Sequence, residues 1–276
     1  MSKLTEEELK SLNPWGKVSE QYKENAKFLY DEENTEYVCN DDRELIKKFN
    51  EDVKDKEKQY KLNVPAYPWY GNPLTAKVIL LSLNPGYVER ESKIAKLIQL
   101  LPPEYTEGYT RHLCQMLTFE CSGFLPEDTG GQKGLTYRDL ANIHQSYYWY
   151  DRLCKAFVDD EKDNKTGLTF DEINSRFAVI QYVGYSSVKY APFEKNERLY
   201  SQDYTQKLIQ YILQNHEDTI FIVARHVKEW RKFLKDLWDK DRFIVSTAYG
   251  GQYFTRKCFK EEEEKKFDKI IEAFKK

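Results

Sequence analysis

No pair of the five cysteines (Cys39, Cys114, Cys121, Cys154 and Cys258) is spaced as CxxC, and their number is odd. That pattern indicates neither a disulfide framework nor a thiolate zinc site. Histidine is scarce: the four residues His112, His144, His216 and His226 never fall at a metal-binding spacing, so no metal and no other cofactor is expected. No apolar run approaches the roughly 18 residues of a membrane span, and the start carries no leader pattern. A reduced, soluble, cytoplasmic protein is the expectation. The chain also lacks the phosphate-loop pattern GxxxxGK[ST]; its glycine-rich "TGGQKG" (129–134) reads as loop. Nor is there an excess of positive charge. The formal net charge is −3, whereas nonspecific nucleic-acid binders draw their affinity from phosphate neutralisation by basic residues. A strongly basic whole-chain binder is thereby disfavoured; a local basic groove is not.

What the chain does hold is aromatic. Its 276 residues include 21 Tyr, 15 Phe and 5 Trp. A tyrosine offers a stacking face with a polar tip, which suits bases and sugars, although coding bias yields the same surplus. The length fits one large domain, or a domain with an extension. Residues 1–64 are rich in lysine and glutamate, with Gly16 as their one glycine. Leu45, Ile46, Phe49 and Val53 fall at helical spacing after Asp41-x-x-Glu44, which resembles a capping box. This stretch reads as a helical N-terminal extension packed on the core, and residues 65–276 as an α/β domain. "VPAYPWYGNPLTAK" opens the domain as a proline-rich loop.

Four strands are predicted: 77–83, "RFAVIQYVG" (176–184), "DTIFIVA" (218–224) and "DRFIVST" (241–247). Helical patterns separate them. One runs from Leu140 to Phe157; another follows Ser201, an apparent N-cap, through Leu208, Ile209 and Ile212. A third carries Val227, Trp230, Phe233, Leu234 and Leu237, and the last covers about 260–275. Strands alternating with helices imply βαβ units and a parallel sheet. The stretch 102–135 reads as long and irregular. Ligands of open parallel sheets bind beyond the carboxyl ends of the strands. Four tips lie there: Asn84-Pro85-Gly86-Tyr87, Tyr185-Ser186-Ser187, Arg225-His226, and Ala248-Tyr249-Gly250-Gly251. Asn-Pro-Gly alone is a turn signal, and Arg225-His226 reads as a solvated first helical turn ahead of the alternative, a phosphate contact.

The stretch "VILLSLNPGY" (78–87) resembles the first motif of the uracil-DNA glycosylase superfamily, most closely its mismatch-specific uracil/thymine branch. "YPWYGNPLTAK" is similar to the approach segment of glycosylase-like proteins, and "VIQYVGYSSVKY" to their second-strand region. The likeness spans about residues 65–255 in element order and is close over 67–87. It implies a three-layer α/β/α fold with a central, mostly parallel four-stranded sheet. It also implies a DNA substrate whose flipped uracil, mismatched or modified base is cut from its sugar. Asn84 is then the residue that positions the attacking water, Tyr87 the aromatic that covers the base, and Pro85 and Gly86 the close backbone approach. Tyr185, Ser186 and Ser187 fall where the family reads the base edge, and Gln181, inside the strand, reads as a packing residue.

The family's last motif, His-Pro-Ser or Asn-Pro-Ser, has no counterpart in "VSTAYGGQYFTRK" (245–257). On residue chemistry alone, Tyr249 and Gln252 are the base-side donors of that loop, Tyr253 and Arg256 its nucleic-acid contacts, and Tyr253 or Phe254 its wedge. Two functions follow. One is an N-glycosyl hydrolase acting on DNA. The other is a binding module of the same fold that holds nucleic acid or a nucleobase without turnover. A monomer is expected.

Overall fold

The computed structural model describes residues 3–24, 36–87, 103–123, 157, 166–194, 197–223, 225–239, 241–246 and 264–276. Five strands are present: β1 (Trp69–Tyr70), β2 (Val78–Ser82), β3 (Phe177–Gln181), β4 (Ile220–Val223) and β5 (Phe243–Val245). They form one sheet in the order β1-β3-β2-β4-β5. The four anticipated strands are mutually parallel, and their continuous Val, Ile, Leu and Phe runs are buried apart from Ser82 and Val245, as expected where both sheet faces are covered. The fifth strand corrects the sequence reading. Trp69 and Tyr70, inside the proline-rich loop, pair antiparallel with Ile180 and Val179. Prolines on either side limit this strand to the sheet edge, where proline's missing donor is tolerated.

The helices are α1 (Glu6–Ser11), α2 (Trp15–Glu24), α3 (Asn40–Asp52), α4 (Pro103–Leu117), α5 (Phe170–Arg176), α6 (Tyr200–Asn215), α7 (Val227–Leu234) and α8 (Glu264–Lys275). Helix α4 is a second correction, because it occupies the stretch read as irregular. Pro103 is its first residue, where proline costs no hydrogen bond, and Leu113, Cys114, Met116 and Leu117 bury one face. Of the helix expected over 140–157, only Phe157 is described; it packs 5.2 Å from Phe274 and 5.7 Å from Phe267 of α8. His144 and residues 129–134 lie outside the described residues.

The N-terminal helices share the buried core. Trp15 is fully enclosed, its ring 5.4 Å from that of Tyr185. The Ala66 amide donates to Tyr22 Oη at 2.6 Å, and Asn13 Nδ2 donates to the Leu117 carbonyl at 2.7 Å. The expected capping box at Asp41 does not form: Asn40 already starts α3, and Cys39, its N-cap, makes no side-chain cap bond. Its neighbour Asp42 is fully buried instead and reaches another element. Asp42 Oδ1 accepts from the Ser201 amide at 3.1 Å, and Oδ2 accepts from Tyr185 Oη at 2.8 Å. Ser201 is therefore not an N-cap but the second residue of α6, capped across 159 residues of chain. Among the described residues, no helix is long and apolar enough to cross a membrane.

Candidate functional site at the strand tips

Parallel register aligns the carboxyl ends of the strands. Ser82 sits beside Gln181, Leu81 beside Val223, and Val223 beside Val245. From β2 the chain moves to β3 on one side; from β3 it returns past β2 to β4 on the other. The order therefore reverses between β2 and β4, the kind of switch point at which open sheets leave a crevice.

At the tip of β2, Asn84 is half-buried and its amide is held by three acceptors. Nδ2 donates to Ser187 Oγ at 2.8 Å and to the Pro85 carbonyl at 3.0 Å, with a longer contact to the Tyr185 carbonyl at 3.5 Å. Two of these acceptors are carbonyl oxygens, which fixes the amide's orientation: the nitrogen must face them. Ser187 Oγ donates its own proton to the Lys189 carbonyl at 3.0 Å, so it can only accept from Asn84. The remaining group, Oδ1, accepts no hydrogen bond among the described residues.

Backbone pairing continues past the strand ends and carries the next residues. Tyr87 N–H donates to the Ser187 carbonyl at 2.9 Å, Ser187 N–H donates to the Pro85 carbonyl at 3.2 Å, and Gly86 bridges Ser187. Pro85 is buried, Gly86 exposed and Tyr87 half-buried. A Cβ on Gly86 would meet nothing within 4 Å, so described packing does not demand a glycine there. Lys61 also belongs to this group. Its amide donates to the Ser186 carbonyl at 2.8 Å, and its Nζ lies 5.8 Å from the centre of the Tyr87 ring. Sequence reasoning missed Lys61 because it set residues 1–64 aside as an extension, and nothing local marks this lysine among its neighbours.

The three residues proposed after β3 divide. Ser187 joins the Asn84 turn, but the side chains of Tyr185 and Ser186 do not. Both are buried, Tyr185 donating to Asp42 and accepting from the Cys39 amide at 3.1 Å. Burial drives the Tyr185 phenol well above its ordinary pKa, so it stays a neutral donor to Asp42. Only its carbonyl oxygen reaches the site. The sequence reading places both as substrate contacts; in the fold their side chains are enclosed.

Arg225 and His226 are exposed at the tip of β4. His226 has φ of 55°, a left-handed conformation in which a non-glycine residue is uncommon. Its ring lies 6.2 Å from that of Tyr190, which ties this tip to the loop leaving Ser187, and its Nδ1 is 3.8 Å from Glu229. Tyr249, Gln252, Tyr253 and Arg256 lie outside the described residues.

Gln181, read from sequence as a packing residue, is fully buried, yet neither side-chain amide atom has a hydrogen-bond partner among the described residues. A buried group left unpaired costs about 1–3 kcal/mol. Gln181 stands at the end of β3 beside the half-exposed Ser82, two residues below Asn84 on the neighbouring strand. Among the described residues, no group of three His, Cys, Asp or Glu is arranged to hold a metal. Comparisons with family models, curated proteins and solved structures find no significant match to this chain.

Proposed function

We propose that this protein is a DNA glycosylase-like hydrolase that breaks the N-glycosidic bond of a flipped base. The observation that carries the reading is the pinned amide of Asn84. Cleaving that bond builds positive charge on the sugar and negative charge on the departing base. A protein assists by orienting water on the sugar side and donors on the base side. With Nδ2 held by Ser187 and Pro85, Oδ1 is left as a fixed acceptor at a strand tip. It suits a water whose oxygen must point its lone pair at the sugar. Because a neutral amide is a poor base, the chemistry relies on a good leaving group. Tyr87 is the stacking wall, and Arg225, His226, Tyr253 and Arg256 contact the strand. Extruding a base costs a few kcal/mol, which such contacts repay. The sheet order, with Asn-Pro-Gly-Tyr at the end of the central strand β2, supports a three-layer, glycosylase-like arrangement.

The test is release of free base from oligonucleotides carrying uracil, hypoxanthine or mismatched thymine. Wild-type protein releases one of them, and Asn84→Ala loses about a hundredfold or more, the scale of a positioned acid–base group. Gly86→Ala is the companion variant. Its new methyl meets open space in the protein, so melting is unchanged while release falls, because the methyl enters the space reserved for ligand. Absence of release with every substrate sinks the hydrolase. A second reading, a binding module without turnover, is favoured by the lack of a His-Pro or Asn-Pro pair in residues 245–257. Thermal stabilisation by nucleic acid with no product formed selects it.

A further inference from the structure

We propose that Lys61, delivered by the N-terminal segment, is an anion-binding residue of the strand-tip site and takes a phosphate of the ligand beside Tyr87. Three features point to it. First, the lysine is anchored. Its amide bonds the Ser186 carbonyl at 2.8 Å, and the two residues form an antiparallel bridge, so its backbone is registered against the loop that carries Ser187. Second, its charge is uncommitted. Three lysines of the surrounding segments have carboxylates: Lys58 has Asp55 at 3.6 Å, Lys48 has Glu197 at 2.7 Å, and Lys189 pairs with Glu57. Lys61, half-buried among them, has no carboxylate partner among the described residues. Its ammonium nitrogen lies 5.8 Å from the centre of the Tyr87 ring. Third, the setting is right for a nucleotide. An aromatic face, a fixed amide oxygen on Asn84 and an ammonium lie around one turn, each joined through Ser187 or Ser186. An ammonium is a point charge that binds phosphate without demanding a fixed approach.

The chain as a whole is slightly acidic, so this cation is a local feature and not a share of a general positive field. The acids nearby are already engaged. Glu57 is committed to Lys189, and Asp55 bonds the Glu57 amide at 3.1 Å and faces Lys58. The proposal takes from the glycosylase reading only the identity of the polymer; the anion-binding role stands on the lysine's own surroundings.

The experiment measures binding of a fluorescein-labelled, uracil-containing single-stranded oligonucleotide by anisotropy over a range of NaCl concentrations. Wild type, Lys61→Met, Lys61→Gln, Lys61→Arg and Asn84→Ala are compared, together with melting stabilisation by deoxyuridine 5′-monophosphate and by deoxyuridine. The two neutral variants are expected to lower the slope of log affinity against log salt by about 0.7, the value for one single-strand phosphate contact. Lys61→Arg restores the slope, and Asn84→Ala leaves it unchanged. An unaltered slope in both neutral variants overturns the proposal and leaves the base-release reading intact. If wild type ignores the oligonucleotide but prefers the monophosphate to the nucleoside in a Lys61-dependent way, the polymer reading fails and the anion site stands. If wild type distinguishes neither ligand, the anion site falls too.

Discussion

At the residue scale, Asn84 is an amide for a reason that excludes its acid. Its nitrogen faces the Pro85 and Tyr185 carbonyls and the Ser187 hydroxyl oxygen, all as acceptors. In Asn84→Asp a carboxylate oxygen meets the two carbonyls with no proton between them. The hydroxyl of Ser187 can turn to the new carboxylate only by abandoning Lys189. The substitution is therefore expected to lower stability by about 1–3 kcal/mol, the cost of an unsatisfied buried group, and not to raise turnover, although a carboxylate is the better base. Thermal melting and base release, measured side by side, check both parts; a faster and equally stable Asn84→Asp refutes the geometry. Asn84 and Tyr87 were legible because Asn-Pro-Gly closes an apolar strand, and a strand tip is where parallel sheets work. The burial of Tyr185 and Ser186 was not legible, for a related reason. A loop leaving a strand shows its residue types but not which side chains turn inward; for Tyr185 the hydrogen bond to Asp42 holds the phenol there.

At the element scale, helix α6 shows how termini are completed from a distance. Its start is capped by Asp42 of α3. Its end is held by Arg242, which donates from Nη1 to the Leu213 carbonyl at 2.8 Å and from Nε to the Thr219 carbonyl at 3.0 Å. Such caps leave no local signature, so sequence assigned the start to Ser201 and passed over Arg242. The strands were easier, since continuous apolar runs are what two-sided burial requires, whereas two-residue β1 carries too few residues for any pattern. His216 closes α6 as its C-cap, a place where helix polarity favours a cation. Burial dominates here, and with the nearby Lys77 and Arg242 charges it lowers the imidazole's pKa, while Glu6 opposes them. The folded state thus prefers neutral imidazole, and the unfolded chain takes up the proton first, near its ordinary pKa of about 6.5. His216 therefore contributes stability above about pH 6.5 that is lost as pH falls toward its lowered folded value. Melting temperatures followed from about pH 7.5 down to about pH 5 should fall, and less steeply in His216→Gln. Identical slopes in the two proteins would show that other groups govern this range.

At the scale of the whole molecule, the N-terminal helices and the sheet are one packed unit in the places where they meet. Gly184, just beyond β3, marks the tightest of these. A Cβ there would come within 2.8 Å of the Trp15 ring and 3.1 Å of the Pro68 Cα. Gly184→Ala should therefore cost about 1–3 kcal/mol through overpacking. Calorimetry on the full chain would detect it, with partial recovery when Trp15→Phe relieves the crowding; an unchanged melting temperature would mean the ring yields freely. Helical spacing marks residues 1–64 as an extension packed on a core, without a sign of which contacts would hold it. A buried tryptophan can be guessed from its type, whereas the glycine that makes room for it looks like any loop glycine.

The sheet's boundaries carry one more consequence. Among the described residues it ends in two strands of two and three residues, β1 and β5. Open strand borders are templates on which other chains zip together, and brevity is a known safeguard against this. With so little rail to grip on either side, the described borders of the sheet offer another copy few unpaired amides and carbonyls.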